Sequence, residues 1–146
     1  MSDGDFLDLA LQEARASFDQ GGIPIGSVLV RAGDVIGHGH NQRVQLGDAI
    51  AHGEMDCIRN AGRQRTYKDT AIYTTLSPCM MCSGTIVQFG IPRVVIGENV
   101  TFGGNEDFLR SRGVEVVILG DSRCIDLMRT FQQKYPRIWN EDIGAD

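Results

Sequence analysis

The sequence predicts an α/β fold, a three-layer α/β/α sandwich, from three observations. The 146 residues are 42% hydrophobic and 23% charged, a balance typical of globular rather than disordered chains. After a first hairpin, runs of β-forming residues alternate with helical periodicities. That alternation favours right-handed crossovers and parallel strand pairing. The length indicates a single domain, residues 1–146, large enough to bury its own core.

The first third of the chain is predicted to form one helix and a hairpin. Apolar residues recur at helical spacing over 5–19. Gly21 and Gly22 follow and end that helix, since glycine adopts the conformation of a helix C-terminus without strain. Two apolar runs, 26–31 and 35–40, are separated by turn residues and are expected to pair as antiparallel strands.

The middle third is predicted to hold two helices and a strand. Residues 41–51 form a loop, and 52–60 form a helix whose Met55 and Ile58 should face inward. Residues 71–76 are rich in β-forming side chains and predict a strand. Ser77 is a favourable N-cap for a helix over 79–89.

The last third continues the alternation of strands and helices. Residues 93–97 predict a strand and 105–111 a short helix. Residues 115–119 predict a strand that is central or near-central, because both of its faces are apolar. A capped helix follows over 121–134, and residues 136–146 form a C-terminal tail.

The composition limits the classes of partner. The formal net charge is -5 and no run of Lys or Arg appears, so no nucleic-acid partner is expected. No apolar stretch could span a bilayer, and the acidic N-terminus lacks the apolar segment of a signal peptide. We therefore expect a cytoplasmic protein with no membrane partner. In a reducing compartment, a Cys-x-x-Cys pair is more often metal-binding or redox-active than a structural disulfide.

Two short motifs predict a metal site. Cys79 and Cys82 are three residues apart at the start of a predicted helix, so both sulfurs can lie on one face. The electropositive helix N-terminus favours the thiolate form that binds metals. His52, at the start of another predicted helix, supplies a third ligand. Three ligands predict one zinc ion with an open fourth position, which is typical of catalytic rather than structural zinc.

Glu54 is predicted to carry a proton. It lies two residues after His52, an offset that turns it away from the ligand direction on a helix. It is therefore better placed to exchange a proton with water and substrate than to be a fourth ligand. The reaction inferred from these residues is hydrolytic removal of an amino group from a nitrogen heterocycle. His-x-Glu followed by Pro-Cys-x-x-Cys is the signature of zinc-dependent nucleobase deaminases.

Simpler interpretations remain for the cysteines and histidines. Cys-x-x-Cys alone can be a redox pair, and Cys with His can form a structural zinc knuckle. Cys57 and Cys124 lie mid-helix on apolar faces, where packed thiols are expected. His38 and His40 lie on a predicted strand with no accompanying carboxylate or cysteine, which favours packing or hydrogen bonding over metal binding.

Short segments spread over nearly the whole chain, including the C-terminal tail, carry a family resemblance. They are GGIPIG at 21–26, GHGHN at 37–41, HGE at 52–54, YKDT at 67–70, YTTLSPC at 73–79, MC at 81–82, GIPR at 90–93, GENV at 97–100, and Trp139 with EDIG at 141–144. In these segments the chain resembles the fungal cytosine deaminases of the cytidine-deaminase-like superfamily.

The resemblance implies a fold, a reaction and a set of site residues. The fold is a five-stranded mixed sheet between helices, assembled as a homodimer with one zinc per subunit. The reaction converts cytosine, a small-molecule nucleobase, into uracil and ammonia. The zinc ligands are His52, Cys79 and Cys82, and Glu54 is the proton carrier. The implied substrate contacts are Asn41, the main chain of Gly53, the Ser77 carbonyl, Asp142, Ile25, Phe102 and Trp139, under the tail at 136–146.

Three of the implied contacts have simpler explanations. Trp139 could serve only to anchor the tail. Asn41 could stabilise its own loop through its side chain. Asp142 could be a solvated tail residue.

The chain departs from the fungal pattern at Met80, at 48–51 and at 103–105, which border the pocket or its lid. These departures do not change the predicted zinc chemistry. They leave more than one substrate compatible with the sequence. One alternative is the same reaction on isocytosine, guanine or a creatinine-like amidine. The others are tRNA adenosine deamination and a non-catalytic zinc or redox module.

Overall fold

A five-stranded mixed sheet forms the centre of the computed structural model, which describes residues 1–145. The strands are β1 (Gly26–Arg31), β2 (Asp34–His40), β3 (Thr70–Leu76), β4 (Arg93–Glu98) and β5 (Glu115–Ile118). They lie in the order β2-β1-β3-β4-β5. Strand β1 is antiparallel to both of its neighbours, whereas β3, β4 and β5 are parallel. The predicted hairpin and the predicted parallel pairing are both confirmed.

Helices cover both faces of the sheet. In the described part of the chain they are α1 (Asp3–Asp19), α2 (Arg43–Leu46), α3 (Gly53–Ala61), α4 (Met80–Phe89), α5 (Glu106–Ser111), α6 (Ser122–Lys134) and α7 (Pro136–Asp142). Helices α1 and α6 pack on one face, and α3, α4 and α5 pack on the other. The three-layer sandwich is confirmed. None of these helices combines the length and the apolar character needed to cross a bilayer.

Apolar side chains from strands and helices hold the layers together. Below α3, α4 and α5, the buried core includes Leu29, Ile58, Ile72, Ile86, Val94, Ile96 and Leu109. Each fully buried aliphatic side chain of this size contributes roughly 1.5–3 kcal/mol relative to exposure. On the other face, Phe6 of α1 packs against Tyr73 at a ring-centroid distance of 5.1 Å. The two cysteines predicted as packed thiols, Cys57 and Cys124, are buried and free.

Helix α3 lies directly on β2 because two residues of that strand are glycines. A Cβ at Gly39 would lie 2.6 Å from Asp56 Oδ2, and one at Gly37 would lie 2.6 Å from the Cβ of Ala61. Any larger residue would push α3 away from the sheet. Because Glu54 lies in the first turn of α3, these glycines set the depth of that side chain in the fold.

The prediction that the last strand is central or near-central is wrong. Strand β5 is at the edge of the sheet, with β4 as its single neighbour. It is four residues long, and its first residue, Glu115, is exposed and bonds Arg93 at 3.0 Å. Apolar residues on both faces of a strand indicate that helices cover it, but they do not report the number of strand neighbours.

The prediction that Ser77 caps α4 is also wrong. Cys79 occupies the N-cap position, with extended backbone angles of φ -68° and ψ 177°. The Ser77 N–H donates to the Glu98 carbonyl at 2.9 Å. This bond continues the ladder between β3 and β4 and keeps Ser77 in line with the sheet.

Two predicted irregular segments contain helices. The predicted loop 41–51 includes the single turn α2, and the predicted tail includes α7, which begins at Pro136. Proline suits the first position of a helix as well as the end of the preceding one, so Pro136 separates α6 from α7. Asp146, the last residue of the predicted tail, lies outside the described residues.

Candidate metal centre and active site

Three predicted ligands converge where β3 ends and where α3 and α4 begin. His52 Nδ1 lies 3.4 Å from Cys79 Sγ and 3.7 Å from Cys82 Sγ. One donor atom from each residue lies within 4.8 Å of the other two, and no other group in residues 1–145 has this spacing. The structure therefore brings together the two motifs that are separated along the chain.

The donor atoms fit zinc. Bonds of about 2.3 Å to sulfur and about 2.0 Å to nitrogen, at a tetrahedral angle, require an S···N separation of about 3.5 Å. The two measured separations, 3.4 and 3.7 Å, lie on either side of that value. Two sulfurs and one imidazole nitrogen are also the donor types that zinc prefers.

The two helix starts aim the ligands at one point. His52 and Cys79 are the N-cap residues of α3 and α4, both with extended backbone, and neither side chain caps its own helix. Both side chains are therefore free to face the site. Cys82 follows in the first turn of α4. The positive ends of both helices favour anionic groups here.

The two cysteines share their protons unequally. Cys79 forms hydrogen bonds with Cys82 and with His52, and these bonds lower the pKa of the Cys79 thiol to about 4. The hydrogen bond between the two cysteines raises the pKa of Cys82 well above its ordinary value, and burial adds to that rise. Cys79 is thus a thiolate at neutral pH, the form that binds zinc. Cys82 would have to lose its proton to hold zinc, so zinc uptake would release protons.

A carboxylate from the C-terminal helix holds the second nitrogen of His52. Asp142 Oδ1 lies 3.3 Å from His52 Nε2, and the Asp142 side chain is 4% exposed. Burial lowers the pKa of His52, but hydrogen bonds to Asp142 and Cys79 outweigh it and raise that pKa to about 10. An Nε2–H donated to Asp142 directs Nδ1 toward the sulfurs, the arrangement usual for histidine ligands of metals. Asp142 is not a solvated tail residue.

Glu54 is buried beside the ligands and outside their set. It is 4% exposed. Burial, together with the negative charge of Cys79, raises the pKa of Glu54 to about 7. A carboxyl group with such a pKa can both accept and donate a proton near neutral pH.

A small cavity adjoins these groups. Its volume is about 20 Å³, which is the space of about one water molecule. Seven of the predicted site residues line it, together with two residues that the sequence did not single out. The lining consists of Ile25, His52, Glu54, Leu76, Ser77, Cys79, Phe102, Asp142 and Ile143. The Ser77 hydroxyl is buried and has no hydrogen-bond partner among the described residues.

The other predicted residues lie next to this cavity rather than in its wall. Cys82 is buried and belongs to the donor set without lining the cavity. Gly53 packs on Ile25, where a Cβ would lie 2.9 Å from the Ile25 carbonyl oxygen. Asn41 is fully buried, and its Nδ2 donates to Asp142 Oδ1 at 3.4 Å. Its Oδ1 accepts from Arg43 N at 3.0 Å, so Asn41 also stabilises its own loop.

Two aromatic rings close one side of the site. Trp139 of α7 meets Phe102 edge to face at 5.8 Å between centroids, and it is 7% exposed. Trp139 therefore does anchor the C-terminal helix. The loop that carries Phe102 is held by Glu98, whose buried carboxylate accepts from Val100 N at 2.7 Å and from Thr101 N at 2.9 Å.

Sequence reasoning missed three residues at the site. Leu76 and Ile143 line the cavity, and each is adjacent in sequence to a predicted contact. Arg43 NH1 lies 3.6 Å from Asp142 Oδ1, and the Arg43 side chain is 14% exposed. The sequence feature that could have identified Arg43 is that it is the one charged residue between His40 and Asp48.

The histidine pair on β2 does not belong to this site. Glu13 of α1 lies 3.3 Å from His38 Nδ1 and 3.4 Å from His40 Nδ1. The predicted hydrogen-bonding role is confirmed. The expectation that no carboxylate accompanies the pair is wrong, because Glu13 comes from a distant part of the sequence.

The comparison with protein families agrees with this geometry. The model of the cytidine and deoxycytidylate deaminase zinc-binding region matches residues 1–98. The chain belongs to this deaminase family. The matched region contains His52, Cys79 and Cys82. The donor set of this deaminase is therefore a zinc-binding site. The resemblance noted in the sequence is confirmed.

Individual relatives span most of the deaminase. The cytosine deaminase of Candida albicans is 56% identical over 141 residues, covering 94% of each chain. A tRNA-specific adenosine deaminase of Streptococcus pyogenes is 43% identical over 145 residues, covering 86% of this chain and 81% of that protein. The solved structure of a guanine deaminase from Nitrosomonas europaea superimposes with a TM-score of 0.73 at 20% identity, covering 88% of this chain and 83% of the other. The last similarity shows the fold alone.

Proposed function

We propose that this deaminase hydrolyses the amino group of free cytosine, which gives uracil and ammonia. The observation that carries the proposal is a zinc-type donor set with a buried glutamate beside it, at a cavity that the C-terminal helix closes. The 56% identity to the Candida albicans cytosine deaminase supports cytosine as the base.

His52, Cys79 and Cys82 would hold the zinc. When bound, zinc supplies a Lewis acid that makes water nucleophilic at neutral pH. Asp142 keeps the imidazole of His52 oriented through Nε2. The thiolate of Cys79 brings negative charge that offsets the positive ends of the two helices around the cation.

Glu54 moves the protons. Its carboxylate takes a proton from the attacking water and delivers it to ring nitrogen N3. It then transfers the second water proton to the amino nitrogen, which leaves C4 as ammonia. One water is consumed and the carboxylate ends in its starting form, so the cycle balances. A pKa of about 7 suits both directions of transfer.

The base would be held by edge contacts and apolar walls. We assign Asn41 and the main chain of Gly53 to the ring edge. The Ser77 carbonyl and Asp142 would accept hydrogen bonds from the amino group. The walls are Ile25, Phe102 and Trp139. Of these residues, Ile25, Ser77, Phe102 and Asp142 already line the cavity, which supports the assignment.

The cavity must open to admit a base. Its volume of about 20 Å³ holds one water, which is less than a pyrimidine ring needs. The residues that close it are Phe102 on a loop and Asp142 and Ile143 at the end of α7. We infer that the segment from Pro136 belongs to the same domain as the sheet. This segment would close the pocket over the bound base. The closed pocket would then have no room for a ribose.

A second candidate is deamination of adenosine in tRNA, which the 43% identity to a tRNA-specific deaminase favours. It requires an open pocket and a basic surface for phosphates. Asp142 and Ile143 close the pocket, and the formal net charge is -5. Both observations favour the free base.

We also propose that the chain forms a homodimer. Helices α3 and α4 present methionines that are incompletely buried, with Met80 55% exposed and Met55 and Met81 half-buried. An apolar face next to the site is a surface that a second copy would cover. The cytoplasmic location stays a prediction.

Ammonia release by zinc-loaded protein tests the substrate. The panel is cytosine, isocytosine, guanine, adenine, creatinine, cytidine and a tRNA. We expect cytosine to give the highest kcat/KM and cytidine and tRNA to give no detectable ammonia. A cytidine rate equal to that of cytosine would contradict the closed pocket, and preference for tRNA would establish the second candidate instead.

A further inference from the structure

A buried carboxylate without a role in the proposed chemistry joins the metal-binding helix to the segment around Asn41. Asp56 lies on α3, and its N–H donates to the His52 carbonyl at 2.8 Å, one helical turn earlier. It is 4% exposed. Its Oδ2 accepts from His40 N at 3.0 Å, and its Oδ1 accepts from Gln42 Nε2 at 3.1 Å. One side chain thus binds the residues on both sides of Asn41.

The segment that Asp56 holds has little freedom. Asn41 N donates to the Ile25 carbonyl at 2.9 Å, and the Asn41 carbonyl accepts from Ser17 Oγ at 2.7 Å. Gly39, just before the segment, leaves no room for a Cβ beside Asp56. The carboxylate therefore lies in direct contact with the backbone of β2.

The hydrogen bonds of the Asn41 side chain show which part of the site the position of Asp56 controls. Its Nδ2 points to Asp142 Oδ1 at 3.4 Å, and the same oxygen lies 3.3 Å from His52 Nε2. Asp56 is fixed to His52 through the helix and to Asn41 through both neighbours of Asn41. It therefore sets the distance between the metal ligand His52 and the Asn41 amide that donates to Asp142.

We propose that Asp56 is a positioning residue that holds Asn41 in register with His52 and Glu54 for binding of the base. The proposal deepens the proposed function and rests on it. Its nearest cation, Arg59 NH1, is 3.9 Å from Oδ1, and the Arg59 side chain is 49% exposed. The two polar donors of the Asn41 segment are therefore the principal partners of this buried carboxylate.

The isosteric change Asp56→Asn tests the proposal. An amide oxygen can accept one of the two bonds, while the NH₂ group faces the other donor and repels it. We expect the KM for cytosine to rise about tenfold with kcat changed less than threefold, because a small displacement of a binding group weakens binding first. Zinc content should stay at the wild-type value.

A second change should rescue the first. When Asp56→Asn is combined with Gln42→Glu, the new NH₂ group can donate to the carboxylate introduced at position 42, while the amide oxygen accepts from His40 N. We expect KM to return to within threefold of the wild type. Asp126→Asn, an exposed change of the same chemistry on α6, is the matched control and should leave KM unchanged.

Amide hydrogen exchange of Asn41 and Arg43 gives a readout that needs no substrate. We expect about tenfold faster exchange in Asp56→Asn and recovery in the double variant. Unchanged KM and unchanged exchange would overturn the proposal, as would a loss of kcat and zinc with no rescue. A wild type that deaminates no base would refute the proposed function, and exchange would still decide whether Asp56 positions Asn41.

Discussion

Glu54→Gln should lose nearly all turnover of cytosine while the protein keeps its zinc. Glutamine has almost the same volume but cannot exchange a proton, and positioned proton transfer contributes about 10²–10⁴-fold to a rate. Glu54 lies outside the group of donor atoms, so zinc content should not change. The measurement is kcat for ammonia release together with zinc per chain.

The control for this variant is Glu115→Gln, the same chemical change at an edge strand far from the cavity. Glu115 bonds Arg93 and is 63% exposed, so its loss should leave kcat unchanged. A Glu54→Gln protein with wild-type turnover would show that the glutamate carries no proton. A Glu54→Gln protein without zinc would show that it is a ligand.

Cys79→Ala should remove both zinc and a large part of the stability. The variant leaves two of the three donors that would hold zinc in the folded protein. Metal binding that requires the fold stabilises the fold by mass action. We expect less than a tenth of the wild-type zinc content and a thermal midpoint lower by roughly 10 °C. Zinc analysis after dialysis and thermal unfolding measure the two effects.

Cys124→Ala is the matched control, since Cys124 is a buried free thiol that packs against α1 and lies outside the site. Its loss should destabilise the fold by about 1 kcal/mol and leave zinc unchanged. If Cys79→Ala retained one zinc per chain, the ligand set would be wrong. If the two variants lost equal stability, Cys79 would be no more than a packed thiol.

The metal site could be predicted from the sequence because its geometry is mostly local. Cys79 and Cys82 share the start of one helix, and His52 and Glu54 share the start of another. In each case the spacing decides which atoms face the same way. What the spacing could not give is the position of the two helix starts relative to one another, which depends on the order of strands in the sheet.

The residues that sequence reasoning missed depend on contacts between distant segments. Asp56 is charged and lies on a helix for which Met55 and Ile58 were expected to face inward. The structure buries Asp56 and leaves Met55 half-buried, because Gly39 brings the strand against that side of the helix. A charged residue in a helical pattern normally indicates a solvated face, so only the tertiary contact reveals its role.

The errors in secondary structure have the same origin. Ser77 before a proline fits the statistics of a helix cap, but its N–H is already bound to the Glu98 carbonyl of a neighbouring strand. In 115–119, the apolar residues on both faces pack against the cores below the helices, which a position inside the sheet is not needed to explain. They could not show that no sixth strand follows within the described residues.

Stepwise addition of zinc to chelated protein, with ammonia release from cytosine followed at each step, tests the central claim most directly. The donor set predicts that activity rises linearly and stops rising at one zinc per chain, with one uracil formed for each ammonia. Deamination at full rate without zinc, or none at full zinc occupancy, would contradict the claim that His52, Cys79, Cys82 and Glu54 form the active site.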